Sequence, residues 1–115
     1  MTRGDLWWAD FGIPFGSEPG YKRPVIIIQN DFFNKSCINT TIVVPLTTNM
    51  ILADAPGNIV LPGNESKLKK DSVIVVSKIV VIDRQRLIER ISEIDKVILN
   101  KMENNIIFVL GIKKT

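Results

Sequence analysis

A mainly β domain, a compact barrel of short strands with one late amphipathic helix, is the fold class this sequence predicts. Three observations carry that prediction. The apolar runs are short and rich in Val and Ile, Gly and Pro punctuate the gaps, and only the last segment has helical periodicity. At 115 residues the chain reads as a single domain, 1–115, with material for one modest core.

Strands are predicted at Leu6–Asp10, Pro24–Gln29, Thr41–Pro45, Asn58–Leu61 and Ser72–Val76, the last with scope to run on to Val81. The stretch from Gly12 to Gly20, Ala55-Pro56-Gly57 and Pro62-Gly63-Asn64 separate them. Ser66 to Lys70 and Asp83-Arg84-Gln85-Arg86 read as short helical turns, the second leading into a strand at Ile88–Ile91. Beyond it Ile94, Ile98, Met102, Ile106 and Leu110 recur at every fourth residue, and Val97 widens the stripe. Ser92 and Asp95 are cap candidates for this helix and Gly111 is its terminator. The β-branched end, Ile106-Ile107-Phe108-Val109, is equally compatible with a strand.

Composition narrows the chemistry. A net charge of +3 permits a nucleic-acid partner without supplying the dense basic stripe that would demand one. The lysines that cluster at Lys67, Lys69 and Lys70 and at Lys113 and Lys114 read as solvated surface. No histidine is present, which removes imidazole acid–base pairs, most zinc sites and His-dependent nucleophile chemistry together. The lone Cys37 cannot form an internal disulfide and fits a reducing compartment. No apolar run approaches membrane-span length, so a soluble, cytoplasmic protein without a membrane partner is expected. Asp71 and Asp83 stand singly, so no metal site and no cofactor is expected.

What remains for catalysis is arginine, hydroxyl and carboxylate. Arg23 sits where a loop rich in Gly, Pro and charge gives way to the apolar run Val25-Ile26-Ile27-Ile28. A planar, permanently protonated fork there suits a phosphate and cannot serve as a base. The other fate open to it is a salt bridge to Glu18 or Asp10. Thr47 follows the run Ile42-Val43-Val44-Pro45-Leu46, where its hydroxyl can donate to a phosphate oxygen or bond its own turn. Glu18 is the nearby group able to accept a proton, unless it only orients Arg23 or faces solvent. Alternation sends one ring of the Trp7-Trp8 pair inward and the other outward, where it can stack on a base or meet a second subunit.

The segments Arg3-Gly4-Asp5-Leu6-Trp7-Trp8, Gly16-Ser17-Glu18-Pro19-Gly20-Tyr21-Lys22-Arg23-Pro24-Val25, Val44-Pro45-Leu46-Thr47-Thr48-Asn49, Ala55-Pro56-Gly57-Asn58, Lys70-Asp71-Ser72-Val73 and Ile82-Asp83-Arg84-Gln85-Arg86-Leu87 come in an order and spacing that resembles the MazF/PemK toxins, the endoribonucleases of bacterial toxin–antitoxin modules. The resemblance covers most of the chain. It implies an SH3-like β-barrel with a C-terminal helix, a homodimer, a single-stranded mRNA substrate and an inhibiting antitoxin. It also implies metal-independent cleavage to a 2′,3′-cyclic phosphate and a 5′-hydroxyl. Arg23, Thr47 and Glu18 are the implied catalytic residues, with Lys22, Thr48, Lys78 and Tyr21 as RNA contacts. One stretch departs from the pattern. Many relatives carry an acidic residue and a glutamine, then an arginine two places on, where this chain has Ser77-Lys78-Ile79-Val80, so those roles do not transfer. Two other readings remain: a non-catalytic toxin of the same fold that binds a protein such as DNA gyrase, faintly suggested by Gly111-Ile112, and a member that binds RNA without cutting it.

Overall fold

β-Branched side chains pack well on a pleated surface, and the Val/Ile runs of this chain become strands. The computed structural model describes residues 1–113, so Lys114 of the C-terminal lysine pair lies outside the described residues. Seven strands form: β1 (Asp5–Asp10), β2 (Lys22–Ile27), β3 (Thr40–Thr47), β4 (Ile59–Leu61), β5 (Ser72–Ile74), β6 (Val80–Asp83) and β7 (Leu87–Glu93). Helices α1 (Asp31–Asn34) and α2 (Gly63–Ser66) are single turns, and α3 (Lys96–Leu110) is long. The strands pair antiparallel in the order β4-β5-β3-β2-β1-β7, with β6 beside β3. Among the described residues no ladder joins β4 to β7, so the sheet curls as a barrel wall without closing. The mainly β class with a C-terminal helix is as expected.

Strand β3 organises the molecule. One edge pairs with β2, matching Val25 to Pro45, Ile26 to Val44 and Ile27 to Val43. The other edge is shared. Thr40 to Val43 pair with β6, and Leu46 and Thr47 pair with Ile74 and Val73 of β5. Between these two partners the chain leaves the sheet in a 3₁₀ turn, Val76–Lys78. The continuous strand expected from Ser72 toward Val81 is therefore broken, because β5 and β6 sit at different levels of the same edge. Pro45 lies where the partners change, a place that suits a residue without an N–H. Its carbonyl accepts from Val75 N at 2.9 Å.

Both faces of β2 and β3 are covered. One core joins Leu6, Ile26, Val44, Leu46, Ile59, Leu61, Ile74 and Val76 to Ile94 and Met102 at the helical side. A second, smaller core joins Ala9, Val25, Ile27, Val43 and Ile82, with Trp7 and Phe11 packed against it. Burying one such aliphatic side chain contributes roughly 1.5–3 kcal/mol. Helix α3 begins at the Asp95 cap, whose carboxylate accepts from Ile98 N at 2.9 Å, and ends at Gly111 with φ of 68°.

Several boundaries differ from expectation. The stretch Ile106–Val109 is the end of α3, where Ile106 and Val109 pack on the larger core and outweigh the β-branching. The buried stripe runs through Ile98, Leu99, Met102, Ile106 and Val109. Val97 and Leu110 face solvent instead. Ser92 is a β7 residue whose hydroxyl donates to Ser66 O at 2.7 Å, so it caps nothing. The helical turn expected at Ser66 to Lys70 lies earlier, at α2, with Pro62 before it. Helix α1 carried no apolar period to reveal it; Asn30 caps it by accepting from Phe32 N at 2.9 Å.

Candidate active site

Arg23 and Thr47 come together through strand register. The β2–β3 ladder pairs Val25 with Pro45, and continuing it toward the strand mouths sets Arg23 opposite Thr47. Both residues lie inside their strands. β2 starts at Lys22, and β3 runs past Pro45 to end on Thr47. Arg23 Nε donates to Gly20 O at 2.9 Å, which ties the side chain to the end of the preceding loop. Among the described residues it has no carboxylate within ion-pair distance, and Asp10 is opposite Lys22 instead. The salt-bridge fate weighed for Arg23 is not what the chain adopts. Thr47 Oγ1 accepts from Asn49 N at 3.2 Å, closing the turn after β3 and leaving its own hydroxyl hydrogen free to donate.

Two cavities meet at this pair. The larger, about 650 Å³, is walled by Trp8, Tyr21, Leu46, Leu68 and Ile91 and carries Lys22, Arg23, Lys67, Lys69 and Lys70. No carboxylate lines it, so its potential favours an anion. The smaller, about 190 Å³, lies on the other side of Arg23 and Thr47 and includes Glu18, Pro45, Asn49, Leu52 and Lys78. Tyr21, Lys22 and Thr48 thus stand on the larger side with the reactive pair, and Glu18 and Lys78 on the smaller.

Glu18 is exposed; its backbone N–H donates to Phe15 O at 3.1 Å. Lys78 is half-buried and donates from Nζ to Ser17 O at 2.9 Å. The two tryptophans divide as alternation predicts, but neither is fully out or in. Trp7 packs on the smaller core and Trp8 forms part of the large cavity's wall.

Backbone strain marks the same place. Among the described residues two non-glycine residues have positive φ, Tyr21 at 60° and Lys67 at 67°, and both line the large cavity. Such a conformation costs of order 1–2 kcal/mol for a side chain with a Cβ. Tyr21 is held there by bonds at the loop's neck, donating from N to Gly12 O at 2.6 Å and accepting from Phe11 N at 2.9 Å.

Lys67, Lys69 and Lys70 are exposed, as the solvated-surface reading expects. Their local density is visible in the sequence, yet only the fold shows that they also line the cavity beside Thr47. Leu68 and Ile91 were beyond reach, because they come to this wall from the α2–β5 link and β7, where they join Trp8 of β1. Among the described residues no three His, Cys, Asp or Glu side chains gather as a metal-binding group.

A curled antiparallel sheet whose mouth presents an arginine outside any ion pair among the described residues, a threonine and a row of lysines makes a small β protein with a cationic cleft suited to an anion. A family model described as PemK-like, MazF-like toxin of type II toxin-antitoxin system matches residues 2–110, and the chain belongs to this family. Endoribonuclease MazF6 of Mycobacterium tuberculosis is 36% identical over 112 residues, covering 97% of this chain and 98% of that protein. The fold is that of MazF from Deinococcus radiodurans, with a TM-score of 0.82 at 21% identity over 97% of each chain. It is also that of a mycobacterial endoribonuclease solved in complex with its cognate antitoxin, with a TM-score of 0.79 at 18% identity, covering 100% of this chain and 99% of that one.

Proposed function

We propose that the chain is a sequence-selective, metal-independent endoribonuclease toxin that cuts single-stranded RNA, mRNA in particular. The observation that carries this reading is the Arg23–Thr47 pair at the meeting point of a lysine-lined cavity and a smaller one holding a carboxylate. Relatives named endoribonuclease align along nearly the whole chain and support it.

In this reading RNA lies along the large cavity, with phosphates met by Lys22, Lys67, Lys69 and Lys70 and bases by Tyr21 and Trp8. Thr48 contacts the strand beside the reacting phosphate. Glu18 accepts the proton of a ribose 2′-hydroxyl, and that oxygen bonds to the adjacent phosphorus. The bond from phosphorus to the 5′-oxygen breaks, and the leaving oxygen takes a proton from water. The products are a 2′,3′-cyclic phosphate and a 5′-hydroxyl. Arg23 and Thr47 hold the equatorial oxygens while negative charge grows on them. Removing one such donor from an active site costs about 10²–10³ in rate.

Regulation in this reading is electrostatic. A cationic cavity built for RNA also draws an acidic, unstructured antitoxin segment, and a solved relative is held by its cognate antitoxin. A homodimer working in the cytoplasm completes the proposal; among the described residues no helix is long and apolar enough to cross a membrane.

The test is incubation of a long unstructured RNA with the protein in EDTA, beside Arg23→Ala, followed by mapping of the new ends. Cyclic phosphate ends at a recurring short motif, lost in the variant, are expected. Intact RNA with folded protein would overturn the reading, and inhibition of gyrase supercoiling would then assign the chain to the non-catalytic alternative.

A further inference from the structure

The loop from Gly12 to Gly20 carries Glu18, yet little fixes it to the rest of the molecule. Its backbone bonds stay within itself and its stems: Gly12 N to Asp10 Oδ1, Tyr21 N to Gly12 O, and Glu18 N to Phe15 O. Ile13 and Phe15 point away from any core at 89% and 82% exposure. Across the chain, the side chain that reaches the tip of this loop is Lys78, through its 2.9 Å bond to the carbonyl of Ser17, the residue before Glu18. Lys78 itself stands on firm ground. It ends the 3₁₀ turn that begins at the buried Val76, and its own N–H donates to Val75 O at 3.0 Å.

We infer that Lys78 is a positioning residue, a clasp that holds the Ser17 carbonyl and so fixes where Glu18 stands beside Arg23 and Thr47. The inference rests on the ribonuclease reading for its catalytic consequence, and on geometry alone for its structural one. It replaces the role of RNA contact for Lys78. A donor committed to a loop carbonyl acts through Glu18 and leaves the phosphates to the lysines of the larger cavity.

Three measurements on Lys78→Met and Lys78→Arg separate a clasp from a phosphate contact. In Lys78→Met the clasp predicts a fall in kcat of about 10- to 100-fold, the scale of a misplaced reacting group, with little change in KM. The slope of log affinity against log salt stays as in the wild type, whereas loss of a phosphate contact to single-stranded RNA reduces it by about 0.7. Lys78→Arg restores most of kcat. On a Glu18→Gln background, Lys78→Met costs nothing further, since both act through one group. Amide exchange at Glu18, whose N–H donates to Phe15 O, measured without RNA, quickens in Lys78→Met at unchanged melting temperature. Unchanged exchange, or a raised KM with a shallower salt slope, overturns the clasp. Absence of cleavage by the wild type overturns the ribonuclease reading instead and leaves the exchange experiment to judge the clasp.

Discussion

Strands β2 and β3 bury Val25, Ile26, Ile27, Val43 and Val44 completely, whereas the loop beside them leaves Ile13 and Phe15 almost bare. The strands are held by a continuous ladder and two cores; the loop is held by a hydrogen-bonded neck and one lysine. Arg23 and Thr47 belong to the first region and Glu18 to the second. The contrast teaches how the work would be divided under the proposed reaction. The groups assigned there to charge stabilisation stand on the sheet, where strand register sets their separation. The group assigned to proton transfer stands on a segment with little burial, where a lysine bond reaches the neighbouring carbonyl.

The largest expected effect lies in the sheet. Ile26→Ala removes a fully buried side chain from the larger core and is expected to cost about 2–5 kcal/mol of stability, read by chemical denaturation. Thr47→Val comes next and leaves stability within about 1 kcal/mol, because the lost acceptor serves only the exposed turn N–H of Asn49. Its cleavage rate is expected to drop about 10²-fold, with Thr47→Ser retaining most activity. Equal activity in Thr47→Val would remove the threonine from the reactive pair.

Smaller effects sharpen the contrast at the cavity rim. Lys67→Gly relieves a left-handed backbone and is expected to gain about 1 kcal/mol in denaturation while RNA affinity falls and its salt slope lessens by about 0.7. A gain in stability without loss of affinity would mean that the strain serves no contact. The smallest effect concerns pH. The Asp31 carboxyl is held below its ordinary value of 3.8, chiefly by the hydrogen bond from the Asn34 side chain and next by the one from Arg3 N. Its pKa is lower folded than unfolded, so its stabilisation is present above 3.8 and is lost as pH falls through the depressed folded value. Asp31→Asn should flatten that acid limb of the stability curve, and an unchanged limb would assign it to other carboxylates.

Local pattern made much of this legible. Short apolar runs bounded by Gly, Pro or charge placed six of the seven strands, most of them rich in Val and Ile, which have few other homes. The seventh, β6, was folded into an extension of β5, because nothing local marks where a strand changes partners along an edge. Residues at strand mouths were legible for the same local reason, and Arg23 and Thr47 duly face one another. The lysines at 67, 69 and 70 were visible as charge and invisible as cavity wall, because that role depends on pairing with β3 far up the chain. The bond from Lys78 to Ser17 spans 61 residues, and no spacing rule reaches so far. Leu110 misled for a simpler reason: a period of four drifts around a helix of 3.6 residues per turn.

Strand β3 also has a bearing on the order in which the protein is made. A chain leaves the ribosome from its amino end, and a domain acquires its packing as its parts arrive. Arg23 and Thr47 are synthesised early, but the strand that flanks Thr47 and the lysine that fastens the loop come later, at Ser72–Ile74 and Lys78. A half-made chain therefore exposes Arg23 and Thr47 without their wall, and the cavity around them is completed only once the translating machinery has moved well past them.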